Sequence, residues 1–419
     1  MNYKHLSSVY IGKNYVSATL NSQFFYHFWQ RIADNDEITG NLIFFTQRVP
    51  KQGFFEELLR LETQQFVNDF TQITHLLKEK YQKAHKNLIS TSSETFARRY
   101  INWASVVLRY GQYEFINSFP LSNYSGPFAA EIELIGIQSN IELCLSRGNQ
   151  LNLTKLIALN DEYINDDNTS YVVKLKLLNY LNVNYYRHKN FLDRDYNITA
   201  YTEKFLNLVR SEQHTKFHDK FYTSIAFRGL AMATELGEPE QNQLISQAER
   251  LAREIRYENI ATKENLYTCL QTLSKWFFHK NEFITSKSYL EEMISLDPYD
   301  TTGYCELGMH YFKRNDFENA AKNFHRALTL GPPAAAMNSY YCAKSLALTG
   351  KPDEAFKYYT KCIELDDQAL SPYLELIEYF LQEQKTNEAR NLAKIVKQTP
   401  ILFEQLEEYE ADNIEKLVN

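Results

Sequence analysis

Large apolar and small side chains recur in a regular pattern between residues 301 and 334. The large ones follow helical spacing, and small ones stand at the 8th, 20th and 27th places of the segment. Small residues at such places let two antiparallel helices approach closely, while the large ones fill the space between them. Pro332 then stops the second helix. The pattern predicts a helix pair, and it rests on Tyr304, Leu307, Gly308, Tyr311, Ala320, Phe324 and Ala327.

The same spacing recurs at a period of about 34 residues on both sides of this segment. Further repeats begin at Tyr267, Ala336 and Leu370, and the one at Ala336 starts one residue late. Ser274 and Ser286 provide the small residues of the repeat at Tyr267. Four repeats over roughly 267–400 exceed the minimum of about three that a stable array needs.

These residues resemble the tetratricopeptide repeat family, with Tyr304 where the family has Trp. The resemblance covers about a third of the chain. It implies an all-α fold, namely a right-handed solenoid of helical hairpins whose first helices line a concave groove. Members of this family bind other proteins or peptides, so the resemblance implies a partner of that kind.

The change of pattern along the chain predicts four regions. The array is preceded by helices that do not fit the period and by degenerate helix pairs, and it is followed by an acidic amphipathic segment. The predicted regions are an N-terminal helical region (1–89), degenerate helix-pair repeats (90–265), a tetratricopeptide-type array of about four repeats (266–400) and a C-terminal capping helix (401–419).

Within these regions the apolar spacing predicts particular helices. Degenerate pairs are expected at 96–119, at 128–146 with 151–165, and at 217–235 with 241–256. The capping helix is expected to bury one stripe, formed by Leu402, Leu406, Tyr409 and Leu417.

Composition and charge argue against several other classes of protein. The net charge is −7, so the chain as a whole has no strongly basic surface for nucleic acid. The five cysteines are widely spaced, form no CxxC motif and are typical of small buried groups in a reducing compartment. A secretory leader is not readable, and no stretch approaches the ~20 apolar residues that span a bilayer. A soluble cytoplasmic protein that contacts neither nucleic acid nor membrane is the prediction.

Motifs for catalysis are not found in the sequence. Glycine-rich phosphate loops, GxSxG and HExxH do not occur. Two pairs have the i,i+4 spacing of metal ligands, namely His214 with His218 and His75 with Glu79. Ordinary polar groups on a helix surface are the favoured interpretation of both pairs, so neither a metal nor another cofactor is expected.

In the tetratricopeptide family, places 2, 5, 9, 12 and 13 of each repeat face the groove. Here these places combine aromatic, sulfur-containing and basic side chains, which suit a peptide with apolar anchors and acidic groups. The predicted binding residues are Lys275, Phe278, Met309, Phe312, Lys313, Tyr340 and Lys344. Leu348 and Leu381 occupy groove-facing places as well.

The groove departs from the clamp with which chaperone-binding members of the family hold C-terminal carboxylates. That clamp needs Lys and Asn at places now held by Gln271 and Lys275, and Lys and Arg at places held by Met337 and Tyr341. Heat-shock chaperone tails are therefore not the expected ligand.

Three hypotheses for the function follow. The favoured one is an adaptor or assembly partner that binds a protein or peptide through the repeats. The first alternative is a peptide-sensing regulator, resembling quorum-response proteins, with residues 1–89 as its effector. The second is an enzyme with a metal-dependent N-terminal bundle, because Phe24–Glu37 resembles the opening helix of heme-oxygenase-like proteins. The partner, the pathway and the oligomeric state stay open.

Overall fold

The computed structural model describes residues 124–419 except 147–148, 212–216, 234, 256–259, 299 and 331–334, and before them only 15–16, 48–50, 97, 100–101, 104 and 116–117. Helices make up nearly all of the described secondary structure, as the sequence predicted. Two short strands, β1 (Tyr15–Val16) and β2 (Arg48–Pro50), form a two-stranded sheet. Contacts divide the described chain into two compact units, the first ending at Asp297 and the second running from Pro298 to Asn419.

The first unit is a row of helices in which each helix packs on the next along the chain. Alternate helices also contact one another, which gives the two-layered packing of a helical-hairpin array. The described helices are α1 (Ala129–Ser146), α2 (Thr154–Tyr163), α3 (Tyr171–Arg187), α4 (Thr199–Ser211), α5 (Phe217–Leu230), α6 (Glu238–Glu254), α7 (Ile260–His279) and α8 (Phe283–Leu296), with a short 3-10 helix at Lys189–Phe191.

Two of the degenerate pairs correspond to pairs in this unit, namely α1 with α2 and α5 with α6. The pattern did not single out α3 and α4. Helix α3 packs on α1, α2, α4 and α5, so none of its faces is open to solvent. Its sequence therefore has no amphipathic pattern from which the helix could be predicted. Its buried Asn182 and Asn184 donate to the carbonyls four residues earlier, both at 2.9 Å, which satisfies their amides inside the core.

The second unit contains the best-matching repeats and the C-terminal helices. Successive helices again pack on each other along the chain, apart from the last helix, which packs on the helix two places before it. They are α9 (Thr301–Lys313), α10 (Phe317–Leu330), α11 (Ala335–Leu348), α12 (Pro352–Leu365), α13 (Leu370–Gln382), α14 (Thr386–Gln398), α15 (Pro400–Phe403) and α16 (Glu408–Val418). The helical-hairpin fold is thus observed, whereas its right-handed sense stays a prediction.

The turns inside the hairpins α7–α8, α9–α10, α11–α12 and α13–α14 share one conformation. In each, the middle residue has a positive φ, and the next backbone N–H donates to the carbonyl five residues before it, at 2.7–3.0 Å. This hydrogen bond closes the C-terminus of the first helix, as in a Schellman-type cap. The positive-φ residues are Asn281, Asn315, Gly350 and Gln384, spaced by 34, 35 and 34 residues. The repeat predicted from side chains is therefore also present in the backbone.

Close helix contact explains the small residues of the repeat. A Cβ atom on Gly308 would lie 2.9 Å from ring atoms of Phe324. Ala320 is fully buried, as expected for the crossing of two helices. In the hairpin α7–α8, Ser274 and Ser286 replace the small apolar residues, and their hydroxyls lie 3.1 Å apart in the core. Each seam is thus closed by short side chains, with or without a hydrogen bond.

The C-terminal segment differs from the single capping helix that was predicted. It consists of α15 and α16, and a capping box of Glu407 and Glu410 starts α16. Leu402 is buried against α14 as predicted, but the second buried anchor is Ile414, and Tyr409 is 61% exposed. The prediction for Tyr409 was wrong because the break before Glu408 changes the helical phase of every residue that follows.

The division after Asp297 falls inside the predicted 266–400 array. The region boundaries predicted at 89, 265 and 400 are a different kind of division, based on the sequence pattern, and they stay predictions. Among the described helices, none is both long and apolar enough to cross a membrane.

Candidate binding surface on the first helices

The predicted binding residues of the first unit lie on α7, the first helix of its hairpin. Lys275 is exposed. Phe278 is half-buried, and its ring meets the ring of Phe283 edge-on at 5.2 Å between centroids. Phe283 begins α8, so this contact links the two helices of one hairpin. Lys275 is thus at the surface, whereas Phe278 is partly used in packing.

Phe312 is a core residue, and its predicted role as an exposed anchor is wrong. The side chain is buried, and its ring contacts Phe317 at 5.4 Å and Tyr341 at 5.2 Å. These partners belong to α10 and α11, so Phe312 fills the space between two successive hairpins. Met309, on the same helix, is half-buried against the same core, and only Lys313 of the three is exposed.

Tyr340 is likewise buried, with 2% of its surface exposed, so it is not an open anchor. Its hydroxyl donates to a carboxylate oxygen of Glu375, at 3.2 Å. Lys344 lies one turn further along α11, and its Nζ donates to the same oxygen at 2.6 Å. Tyr359, from α12, donates to the other oxygen of Glu375 at 3.1 Å. Two of the predicted binding residues therefore already hold an acidic group, supplied by α13.

The environment of this cluster keeps both phenols protonated. Burial raises the pKa of Tyr340 and of Tyr359 far above the ordinary value, and the negative charge of Glu375 raises both pKa values further. A protonated phenol is a hydrogen-bond donor to a carboxylate. Lys344 and Glu375 retain 23% and 19% of their side-chain exposure, so the ion pair borders on solvent.

Two apolar residues stand exposed at the C-terminal ends of first helices in the second unit. Leu348 is the last residue of α11 and is 49% exposed, and Leu381 lies in the last turn of α13 and is 45% exposed. Lys313, the last residue of α9, occupies the equivalent end of the preceding hairpin. The sequence placed both leucines on the groove side, but it ranked the aromatic residues above them.

The clamp positions also differ from those of a carboxylate-binding groove. Tyr341, which stands where the clamp needs Arg, is buried and stacks on Phe324 with ring centroids 5.4 Å apart. A side chain in that position is a packing residue. The described part of the groove therefore has no residue that copies the clamp at this place.

The described residues contain no cluster of three His, Cys, Asp or Glu side chains with the geometry of a metal site. His75, Glu79, His214 and the side chain of His218 lie outside the described residues. All five cysteines are free thiols, and burial raises the pKa of Cys269 and of Cys342 to about 12, so neither is a ready nucleophile.

Comparison with known proteins identifies the hairpin α11–α12. Residues 343–368, from the middle of α11 to the turn after α12, match the family model of the tetratricopeptide repeat. A comparison with curated proteins gave no match. The matched segment contains Ala343 and Ala355, which are both buried in one core cluster. The hairpin α11–α12 is thus similar to a tetratricopeptide repeat.

Two solved structures are similar to this chain at low sequence identity. The first is MamA, at 18% identity and a TM-score of 0.32, with 41% of this chain and 95% of that chain covered. The second is a signal-transduction ATPase with numerous domains and a tetratricopeptide repeat sensor, from Pyrococcus horikoshii. It has 17% identity and a TM-score of 0.48, and the alignment covers 82% of this chain and 55% of that chain.

Proposed function

We propose that this chain is a binding module that holds a protein or peptide on the first helices of its hairpins. The observation that carries the proposal is the pair of exposed leucines, Leu348 and Leu381, in the last turns of α11 and α13. Exposed leucines that recur at one level of a repeat array form a row of apolar contacts for a partner. Residues that bind a partner in this way contribute affinity without building the helix seams.

The partner that suits this surface combines apolar anchors with an acidic group. Leu348 and Leu381 offer the apolar contacts, and Lys313 lies at the end of α9 in the preceding hairpin. A charge at the rim of a binding surface mainly speeds association and sets its salt dependence, whereas buried apolar anchors set the dissociation rate. We therefore expect the leucines to determine affinity and Lys313 to determine the rate of association.

A selection from a displayed peptide library, followed by calorimetry on the peptides obtained, tests this proposal. Replacing Leu348 and Leu381 together with Ala should weaken binding by about 2 kcal/mol, or more than tenfold in Kd. The matched control is Leu365→Ala with Ile395→Ala, because these side chains are 39% and 45% exposed but lie on the second helices α12 and α14. Equal loss of affinity in both double variants would place binding elsewhere.

The adaptor role itself goes one step further, because it requires a particular macromolecular partner in the cell. The regulator and enzyme hypotheses both depend on residues 1–89, nearly all of which lie outside the described residues. They stay predictions, as does the cytoplasmic location.

A further inference from the structure

Three hydrogen-bond donors converge on the carboxylate of Glu375. Tyr340 and Lys344 come from α11, and Tyr359 comes from α12, the second helix of the same hairpin. The acceptor comes from α13, in the following hairpin. The donors and the acceptor thus belong to different hairpins, and we call the three donor side chains the carboxylate cradle.

The carboxylate cradle is held in place by its own hairpin. The ring of Tyr340 contacts the ring of Tyr341 at 5.3 Å and the ring of Tyr359 at 5.8 Å between centroids. Both phenol rings are buried, so packing rather than the hydrogen bond to Glu375 fixes their directions. Donors that are fixed beforehand lose little entropy when an acceptor arrives.

The donor set is selective for a carboxylate. Two neutral O–H donors and one ammonium group offer three hydrogen bonds and one positive charge, which a carboxylate accepts with its two oxygens. A neutral acceptor would leave the partly buried ammonium without a counter-charge, and removing the acceptor altogether would leave two buried phenols unpaired. Burial raises the pKa of both phenols, so they stay protonated donors even at a pH at which an exposed tyrosine ionises.

We propose that the carboxylate cradle of Tyr340, Lys344 and Tyr359 is a carboxylate-binding site, and that Glu375 is its built-in ligand. Glu375 closes this place to the carboxylates of other molecules, so it is a specificity-determining residue of the first-helix surface. A partner bound to that surface then uses apolar contacts at this point rather than an acidic group. The effect of Glu375 on a partner rests on the proposed function, whereas carboxylate binding by the cradle does not, and a small molecule tests it separately.

The experiment removes the internal ligand and offers a free one. The thermal midpoint Tm of the full-length Glu375→Ala variant is measured against sodium acetate, with acetamide as an isosteric neutral probe and sodium chloride at equal ionic strength. We expect acetate alone to raise the Tm of this variant in a saturable manner, because a ligand that binds only the folded state stabilises it. The wild-type protein should show no such rise.

Two further variants tie the effect to the cradle. Glu378→Ala removes an exposed carboxylate from the same helix and should respond to acetate as the wild type does. Lys344→Met added to Glu375→Ala should abolish the acetate response, because the positive charge of the cradle is gone. Equal responses to acetate and acetamide would show simple cavity filling, and an unchanged response after Lys344→Met would place the acetate elsewhere. Either result would overturn the proposal.

Glu375→Ala should leave a cavity next to two unpaired phenols, and this change could prevent the variant from folding. Whether it folds is therefore measured as well. If it is unfolded in chloride, acetate but not acetamide should restore the helical circular dichroism signal, and failure to do so counts against the cradle. Glu375→Gln is the second variant, because glutamine keeps the volume of the side chain and one acceptor oxygen. It should fold and show no acetate response, since the site remains filled.

Discussion

At the scale of single residues, the repeat depends on positions where a larger side chain would clash with the neighbouring helix. Gly308 in α9 is the clearest case, because the ring of Phe324 from α10 lies directly over it. The sequence predicted this kind of contact from spacing alone, since only a small residue at the eighth place lets the helices approach. The contribution of this contact to the free energy of unfolding can be measured.

Gly308→Ala should destabilise the fold although alanine is the better helix former. The new Cβ would lie 2.9 Å from two atoms of the Phe324 ring, which is too close for carbon atoms. Overpacking of this kind costs roughly 1–3 kcal/mol, against a gain of about 1 kcal/mol in helix propensity. We expect a net loss of about 1 kcal/mol in urea unfolding.

Gly136→Ala in α1 is the matched control for this substitution. A Cβ there meets no atom within 4 Å, so only the gain in helix propensity should appear. If both variants shift the unfolding midpoint in the same direction, the contact between Gly308 and Phe324 is not what requires glycine.

The binding residues show where reasoning about single residues fails. Phe312 and Tyr340 were assigned to the groove because their places face it in the family, yet both are buried. Large aromatic rings at these places reach the neighbouring helices and fill the core, as the contact of Phe312 with Tyr341 shows. Glu375 was missed because its partners lie 16, 31 and 35 residues away, and sequence spacing does not indicate such contacts.

At the scale of elements, the turns repeat as faithfully as the helices. Four hairpins carry a positive-φ residue at the same point, but only one of the four is glycine. The left-handed conformation costs an L-residue roughly 1 kcal/mol, and Asn adopts it more readily than most other residues do. Gln384, with φ of 59°, is therefore the residue among these four that is least suited to the left-handed conformation.

Gln384→Gly should stabilise the protein by about 0.5–1 kcal/mol, because glycine adopts this conformation without a Cβ clash. The converse change, Gly350→Ala, should destabilise by a similar amount, since Gly350 has φ of 75°. Chemical unfolding of both variants measures these changes.

Lys385→Gly is the control for the turn prediction, because the adjacent Lys385 has an ordinary φ of −89°. Glycine at that position should only add flexibility to the unfolded chain and lower the stability. A gain of stability from Lys385→Gly as large as that from Gln384→Gly would mean that backbone strain at residue 384 is not the cause.

The C-terminal cap is a second element whose weight can be tested. Ile414 of α16 is buried in the same cluster as Leu402, Ala393 and Val396. Ile414→Ala should cost about 2–4 kcal/mol, because it removes a buried branched side chain and leaves a cavity. Tyr409→Ala, one turn earlier on the exposed side, should change the stability by no more than about 0.5 kcal/mol. Thermal melting of the two variants distinguishes the structure from the predicted stripe, in which Tyr409 was the buried residue.

These elements show which parts of the fold can be predicted from the sequence. Helix pairs with small buried residues on both helices, such as Ala343 and Ala355, could be predicted because close packing restricts the residue type on both sides. Helix α3 could not be predicted, because it has contacts on several sides and therefore lacks the polar face that gives a helix its amphipathic pattern. The phase of α16 was misjudged because a periodic pattern carries no information across a break in the helix.

At the scale of the whole molecule, the abundance of tyrosine has a consequence for stability against pH. The chain has 30 Tyr, and several are held in both compact units with a raised pKa. Burial raises the pKa of Tyr289 to about 12 in the first unit, and in the second unit it raises the pKa of Tyr340 and Tyr359 still further. The ordinary value is 10.0, which is also what the unfolded chain should show.

The protein should therefore lose stability as the pH rises above about 10. The folded state holds the phenolic protons more tightly than the unfolded state, so the stabilisation is complete below the unfolded pKa and falls as the pH climbs above it. Each such tyrosine contributes a slope of up to 1.36 kcal/mol per pH unit. Tyrosinate absorbance and circular dichroism, followed together in an alkaline titration, should show the buried phenols ionising in the same transition in which helix is lost.

Tyr359→Phe makes this prediction specific to one phenol. The variant removes one proton that the folded state retains, so its stability should fall less steeply with pH above about 10 than that of the wild type. Tyr409→Phe is the comparison, because this exposed phenol can ionise without unfolding and should leave the steepness nearly unchanged. If the buried tyrosines ionise with ordinary pKa values while the helices persist, the phenols are open to solvent and the packing described for the second unit is wrong.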